Sequence, residues 1–366
     1  MITEMTYGAV FLKRLVRSTW WREWRGGGCR AVTSIHLKLD KISITLISTQ
    51  ARCEFIKLSF IIKMSTDEKK VFLTGASGLL GRAIYKKFKS GGWDIQGTAF
   101  TRVTEDLIKV DITNEKELKD TVAKFQPKFI IHCAAQRFPD KCDKNPKEAE
   151  LLNVTATEYI AAIAQQRMIP LIFISTDYVF DGKNPPYQPI SEPNPVNLYG
   201  KTKAEGETIT LSKSLKNIIL RVPVLYGPVT SLSESAVTSL LQNLLNTEKP
   251  ITVSNYEKRR PAHVDDIASI CFDLLQQKIK DPELKGIFQW SGEEVFTKYQ
   301  MIQVMSEVFN LKMDHITPDS KEPDPSAAAR PFDVTLDSSR LKSLGIHHHT
   351  IFKEGIKKDL AKWVQK

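Results

Sequence analysis

Residues Thr74 to Gly81 read T-G-A-S-G-L-L-G and follow directly on the apolar run Val71-Phe72-Leu73. A strand that ends in closely spaced glycines and opens into a helix offers backbone N–H groups and a helix N-terminus, which together suit a diphosphate. The spacing is Gly75-x-x-Gly78-x-x-Gly81, not the G-x-G-x-x-G of the older dehydrogenase fingerprint. Gly75 permits the tight turn, Gly78 lets the backbone approach a phosphate, and Gly81 lets the helix pack closely on its strand. Ser77, Leu79 and Leu80 share this turn and are predicted to border the same ligand.

From residue 70 strand and helix patterns alternate. Strands are predicted over Val71–Thr74, Asp94–Ala99, Leu107–Val110, Phe129–Cys133, Leu171–Ser175 and Ile218–Val222, with helices over Leu79–Ser90, Asn114–Phe125, Pro146–Gln166 and Tyr199–Leu211. Phe129-Ile130-Ile131-His132-Cys133 is continuously apolar, as expected of a strand buried on both faces. Asn114 with Glu117 three residues on is a helix-start signal. The predicted fold is α/β, a Rossmann-like, doubly wound parallel sheet with helices on both faces. After Tyr226 the pattern becomes mixed, with interruptions at Pro250, Pro261, Gly286 and Gly292 and a loop-like run at 318–331. Residues 64–225 are therefore expected to form the nucleotide-binding domain. Residues 226–366 should form a smaller substrate-binding lobe that completes the cleft, its segments interleaved with the first domain.

A second constellation carries chemistry. The strand Phe173-Ile174-Ser175-Thr176 ends in hydroxyls, and Tyr199-Gly200-Lys201-Thr202-Lys203 puts a tyrosine and a lysine at i and i+4, on one helix face. A phenol with a pKa of about 10 is a poor acid–base group at neutral pH. A cation held nearby favours the phenolate and brings it into a useful range. A hydroxyl from Ser175 or Thr176 could hold a substrate carbonyl while a hydride arrives from a nicotinamide.

Together these residues resemble the extended short-chain dehydrogenase/reductase family over residues 68–366. Two branches compete. Ser175-Thr176-Asp177-Tyr178-Val179-Phe180, Asn197 to Lys203, Arg330-Pro331 and Leu336-Asp337 are similar to dTDP-4-dehydrorhamnose reductases, which implies catalytic roles for Thr176, Tyr199 and Lys203. Phe125-Gln126-Pro127, His132 to Asp140, Glu234 to Thr238, Trp290-Ser291-Gly292 and Thr297-Lys298-Tyr299 more closely resemble the regulatory β subunits of methionine adenosyltransferase. That resemblance implies a non-catalytic, cytoplasmic subunit that binds NADP and forms a hetero-oligomer with the catalytic subunit making S-adenosylmethionine. The reductase branch implies NADPH-dependent reduction of a nucleotide-linked 4-keto-6-deoxy sugar. In those β subunits the chain continues past the final helix into a docking tail. This sequence stops at Trp363-Val364-Gln365-Lys366, which leaves room for an altered mode of association.

Cofactor choice has a physical handle. An acid closing the second strand would accept an NAD ribose hydroxyl and repel a 2′-phosphate. That strand instead ends Gly97-Thr98-Ala99-Phe100-Thr101-Arg102, which favours NADP through Arg102 and places Phe100 and Thr101 beside it. The resemblance adds Asp111 and Ile112 flanking the adenine, Cys133, Ala134 and Arg137 along the cofactor, and Leu225 near the nicotinamide, where Tyr199 and Lys203 also touch it.

Composition excludes other classes. Net charge is +10, but residues 1–63 hold eleven Lys or Arg against four acids, which leaves +3 for the rest. A nucleic-acid-binding globule is not supported. The five cysteines form no C-x-x-C pair, so neither a metal site nor a disulfide framework is expected, and a reducing compartment is the default. There is no apolar run of membrane-spanning length and no secretory signal. A mitochondrial presequence is disfavoured by Glu4, Glu23 and the Trp20-Trp21-Arg22-Glu23-Trp24 cluster. The basic extension 1–63 is expected to be disordered or outside the fold, with Met64 as a natural start. His263-Val264-Asp265-Asp266 resembles a stretch in the second lobe of this family, which implies that it helps shape the cleft, and His347-His348-His349 should be a solvated surface feature.

Overall fold

A computed structural model describes residues 35–39, 42–46, 69–322 and 329–364. Ile35–Leu39 and Ile42–Leu46 pair antiparallel with each other. The remainder of the 1–63 extension, and the expectation about it, lies outside the described residues. The unit that follows runs from residue 66 onward.

Its elements in chain order begin with β1 (Lys70–Thr74), α1 (Leu79–Ser90), β2 (Asp94–Ala99), β3 (Leu107–Lys109), α2 (Glu115–Phe125) and β4 (Phe129–His132). There follow α3 (Pro139–Lys144), α4 (Pro146–Glu150), α5 (Ala156–Gln166), β5 (Leu171–Thr176), α6 (Leu198–Lys213), β6 (Ile218–Val222) and β7 (Leu225–Tyr226). The last group is α7 (Ser239–Leu245), β8 (Ile251–Ser254), β9 (Ala262–His263), α8 (Val264–Lys280), β10 (Gly286–Gln289), α9 (Lys298–Phe309), β11 (Ile316–Asp319), α10 (Ser339–Ser343) and α11 (Phe352–Val364). Seven strands form one parallel sheet in the order β10-β6-β5-β4-β1-β2-β3. The order reverses between β1 and β4, and ligands of such sheets bind at that crevice.

The physics of the strands is plain. Every residue of β4, β5 and β6 is buried, because helices cover both faces. One core packs α1 and α8 on the sheet, the other packs α2 and α5. Asn114 caps α2 as its sequence predicts, accepting from Glu117 N at 3.2 Å.

One feature departs from the sequence expectations and another gives the interleaving of the lobes its form. The helix predicted over Pro146–Gln166 is interrupted by a π-helical turn, Leu151–Thr155. This turn aims buried Asn153 at the loop after β4, where its side chain accepts from Gln136 N at 2.8 Å and donates to Gln136 O at 3.0 Å. Such turns are commonly found at functional sites. Secondly, β10 returns from the C-terminal half to pair with β6, so residues 226–366 supply the seventh strand as well as α8. The smaller lobe retains the parallel pairs β8–β11 and β7–β9 and the helices α7, α9 and α11. His263 caps α8 by accepting from Asp265 N at 3.1 Å and reaches Asp359 on α11 at 2.6 Å, which binds the last helix to the core. The three consecutive histidines are not simply solvated. His347, His348 and His349 face Glu293, Asp273 and Glu294 at 2.8, 2.6 and 3.8 Å.

Candidate functional site

The glycine turn is built by close approach. A Cβ on Gly75, whose φ is +70°, would stand 2.7 Å from Ala134 N, so the turn after β1 touches the end of β4. A Cβ on Gly81 would lie 2.1 Å from Gly75 O. Gly78 starts α1 with no side-chain cap, and the first turn of the helix carries no acid. Its leading N–H groups therefore lack an internal anion and suit a phosphate. Thr74 fixes the neighbouring loop, since its hydroxyl accepts from Cys133 N and Ala134 N at 3.2 and 3.4 Å and meets His132 Nδ1 at 2.7 Å. Burial and the charge of Lys203 hold His132 down to about 3, so it stays neutral.

A cleft of about 800 Å³ opens along the C-terminal ends of β1, β2, β4, β5 and β6. Gly75, Ser77, Gly78, Leu79, Leu80 and Gly81 line it from the turn, and Phe100, Thr101 and Arg102 from the end of β2. Asp111, Ile112, Cys133, Ala134 and Arg137 follow, and Thr176, Tyr199, Lys203 and Leu225 line the deeper end. The structure thus brings every predicted site residue to one cavity.

The hydroxyl cluster is ordered by the chain itself. Thr176 opens a 3-10 turn, Asp177–Val179, accepting from Tyr178 N at 3.2 Å and donating to Asp177 Oδ1 at 3.0 Å. Gly206 lets α6 close on β5, since a Cβ there would lie 2.7 Å from the Phe173 ring. Lys203 Nζ consequently stands 3.8 Å from the Phe173 ring centroid. The electrostatics differ from the simple activation scheme. Burial pushes the Tyr199 phenol up, and the opposing pulls come from a Thr176 hydrogen bond and Arg137. Burial also pulls Lys203 down to about 7, against the charge of Glu207. A lysine whose charge burial disfavours gives its tyrosine less help than an exposed one would. Cys133 is pushed up to about 12 by burial and is no nucleophile. Burial raises Asp177 to about 7, against the charge of nearby Arg259.

Sequence reasoning weighed Ser175 only as an alternative to Thr176. Among the described residues Ser175 Oγ is buried in the cleft wall without a hydrogen-bond partner. Also missed was an ionic cluster at the rim. Glu234, buried on the segment after β7, receives Arg82 bidentately at 2.7 and 2.8 Å and Arg102 at 3.2 Å, while Arg137 donates to its backbone carbonyl. No local pattern signals a contact spanning more than a hundred residues. Among the described residues no group of side chains is arranged to hold a metal ion, and no helix is long and apolar enough to cross a membrane.

Comparison with known proteins sharpens the picture. A family model described as RmlD substrate binding domain matches residues 69–364. Methionine adenosyltransferase 2 subunit beta of Xenopus laevis is 42% identical over 297 residues, which cover 81% of this chain and 89% of that protein. The Bos taurus protein of the same name is 42% identical over 298 residues, covering 81% and 89%. Among solved structures, dTDP-4-dehydrorhamnose reductase from Bacillus anthracis in complex with NADP superposes with a TM-score of 0.69 at 26% identity, covering 80% of this chain and 98% of that one.

Proposed function

Because the chain belongs to the RmlD substrate binding domain family, and within it to the group of methionine adenosyltransferase 2 beta subunits, we propose that it is a regulatory subunit. In this reading it binds NADP and modulates S-adenosylmethionine synthesis by a methionine adenosyltransferase catalytic subunit in the cytoplasm. The observation that carries the proposal is similarity to beta subunits along nearly nine-tenths of their length.

The cleft fits the dinucleotide on its own geometry. The Gly75–Gly81 turn is a cradle that side chains would fill, and Ser175 supplies an unpartnered hydroxyl. Gly78 and the N-terminus of α1 would hold the diphosphate, Arg102 the 2′-phosphate, and Asp111 and Ile112 the adenosine end. Reduced NADP would bring a hydride. Towards that chemistry Thr176 and Ser175 offer hydroxyls to a carbonyl, and Tyr199 holds a proton within reach of Thr176. Burial raises the Tyr199 phenol and lowers the Lys203 ammonium, so each is held towards its neutral form.

Gel filtration of the full chain with the methionine adenosyltransferase 2 catalytic subunit and NADP tests the proposal, with co-elution expected. Separate elution together with oxidation of NADPH on a nucleotide-linked 4-keto sugar would replace it with the reductase reading. The observation favouring that second reading is that Thr176, Tyr199 and Lys203 face one cleft. Loss of such turnover in Tyr199→Phe would identify the phenol as proton donor.

A further inference from the structure

The rim of the cleft holds a carboxylate where a site for an extra phosphate would be expected to hold none. Arg102 and Arg137 line the cavity, and Arg82 stands on α1 one residue past the glycine turn, where Nη1 donates to Ser77 O at 2.9 Å. All three converge on Glu234. Its Oε1 accepts from Arg82 at 2.7 Å and Arg102 at 3.2 Å. Its Oε2 accepts from Arg82 at 2.8 Å and from Thr230 N and Oγ1 at 3.1 and 3.3 Å. The Glu234 side chain is 3% exposed, against 56% for Arg102. Its chain neighbours Ser233, Ser235, Ala236 and Val237 line the cleft, so the carboxylate stands just behind the wall.

The segment carrying it is firmly built. Ser235 Oγ donates to Leu225 O at 2.6 Å, Thr238 Oγ1 donates to Leu232 O at 2.7 Å, and Val237 is buried in the main core. Glu234 is therefore a fixed charge that cannot swing away when a ligand arrives. Burial alone would raise its carboxyl, but the hydrogen bonds from Arg82 and Thr230 and the charges of Arg82 and Arg102 outweigh it and hold the group at about 2. It is an anion at every physiological pH.

We infer that Glu234 sets the discrimination of this cleft between dinucleotides with and without a 2′-phosphate, by drawing off part of the positive charge that Arg102 presents. The inference rests on the NADP reading above. A phosphate meeting Arg102 must share the guanidinium with a carboxylate already seated on it, whereas a ribose hydroxyl is indifferent to that charge. Glu234 does not touch the dinucleotide. It acts through Arg102 and is a positioning and specificity residue.

The test is isothermal titration of the full chain with NADP and with NAD, at low and at physiological salt. Glu234→Gln keeps the shape and one acceptor but removes the charge. NADP should bind about fivefold more tightly, the scale of one partly exposed ion pair, and NAD should be unchanged within twofold. The gain should shrink at the higher salt. Glu234→Asp keeps the charge but lengthens the already longer contact to Arg102, so it should raise the NADP to NAD preference by a smaller factor. It also serves if the glutamine variant does not fold. Arg102→Ala should lower the preference and abolish the effect of Glu234→Gln. A preference that is unchanged, or that falls because Arg102 has lost its anchor, in whichever variants fold overturns the inference. A wild-type chain that binds neither dinucleotide instead removes the NADP reading and the inference with it.

Discussion

The three glycines after β1 should separate folding from binding. At Gly81 an added Cβ would stand 2.1 Å from Gly75 O and 2.8 Å from Ala76 Cα, backbone atoms that cannot rotate away. Helix α1 would have to lift off its strand, and overpacking of this kind costs about 1–3 kcal/mol. At Gly75 the left-handed φ of +70° adds about 1 kcal/mol to a contact 2.7 Å from Ala134 N. Gly78 differs. Its φ is −74° and the nearest atom to a Cβ is Gly75 O at 3.2 Å, tight by only a few tenths of an ångström, so Gly78→Ala strains the turn far less and forfeits an N-cap preference of at most about 1 kcal/mol. Yet that methyl would point where the backbone must approach a phosphate. Melting curves of the three alanine variants, paired with NADP titrations, read both quantities. Gly75→Ala and Gly81→Ala should melt on the order of 5 °C lower. Gly78→Ala should melt within about 3 °C of wild type and bind NADP about tenfold more weakly. The reasoning fails if Gly78→Ala melts as low as Gly81→Ala, or if it binds NADP as well as the wild type does.

Other expectations concern buried charge. Arg221 is 1% exposed and bonds Glu207 bidentately at 2.9 and 2.7 Å and Gln289 at 3.0 Å, so Arg221→Leu should cost about 3–5 kcal/mol in denaturant unfolding. The double variant with Glu207→Leu should recover much of that, because no lone buried carboxylate is left. Asp177 has a folded pKa raised to about 7 above its ordinary carboxylate value, so the folded state holds a proton that the unfolded chain has lost. Its contribution is present at acid pH and declines as pH rises from about 4 to 7; Asp177→Asn should flatten the stability–pH profile in that window, and an unaltered slope would exclude this assignment. Tyr199→Phe should leave co-elution with the catalytic subunit intact, since the phenol lies within the cleft.

Much of the fold could be read from the chain because its signals are local. Four buried residues in a row at Phe129–His132 announce an inner strand, and the glycine turn names the strand and helix on either side of it. The positions lining the cleft follow from those strand ends. What stayed hidden depends on distance. Gly286-Ile287-Phe288-Gln289 is too short to announce a strand, and only the bare edge of β6 makes it one. Glu234 looks like any acid in a serine-rich stretch until Arg82 and Arg102 surround it. The spacing of Tyr199 and Lys203 was legible, but not their protonation, which is set by how deeply Phe173 and the surrounding wall bury them.

The returning strand has a consequence for how the molecule is made. During synthesis the nascent sheet grows outward from β1 and reaches β6 with Val222, yet the partner of β6 begins only at Gly286. Throughout that interval a hydrophobic strand presents an unsatisfied row of amides and carbonyls to the crowded exit of the ribosome. Closure of so large a loop is slow, and the cofactor half is topologically incomplete until it happens. A nonsense or frameshift lesion between Val222 and Gly286 should therefore yield an aggregation-prone fragment, not a working nucleotide-binding module.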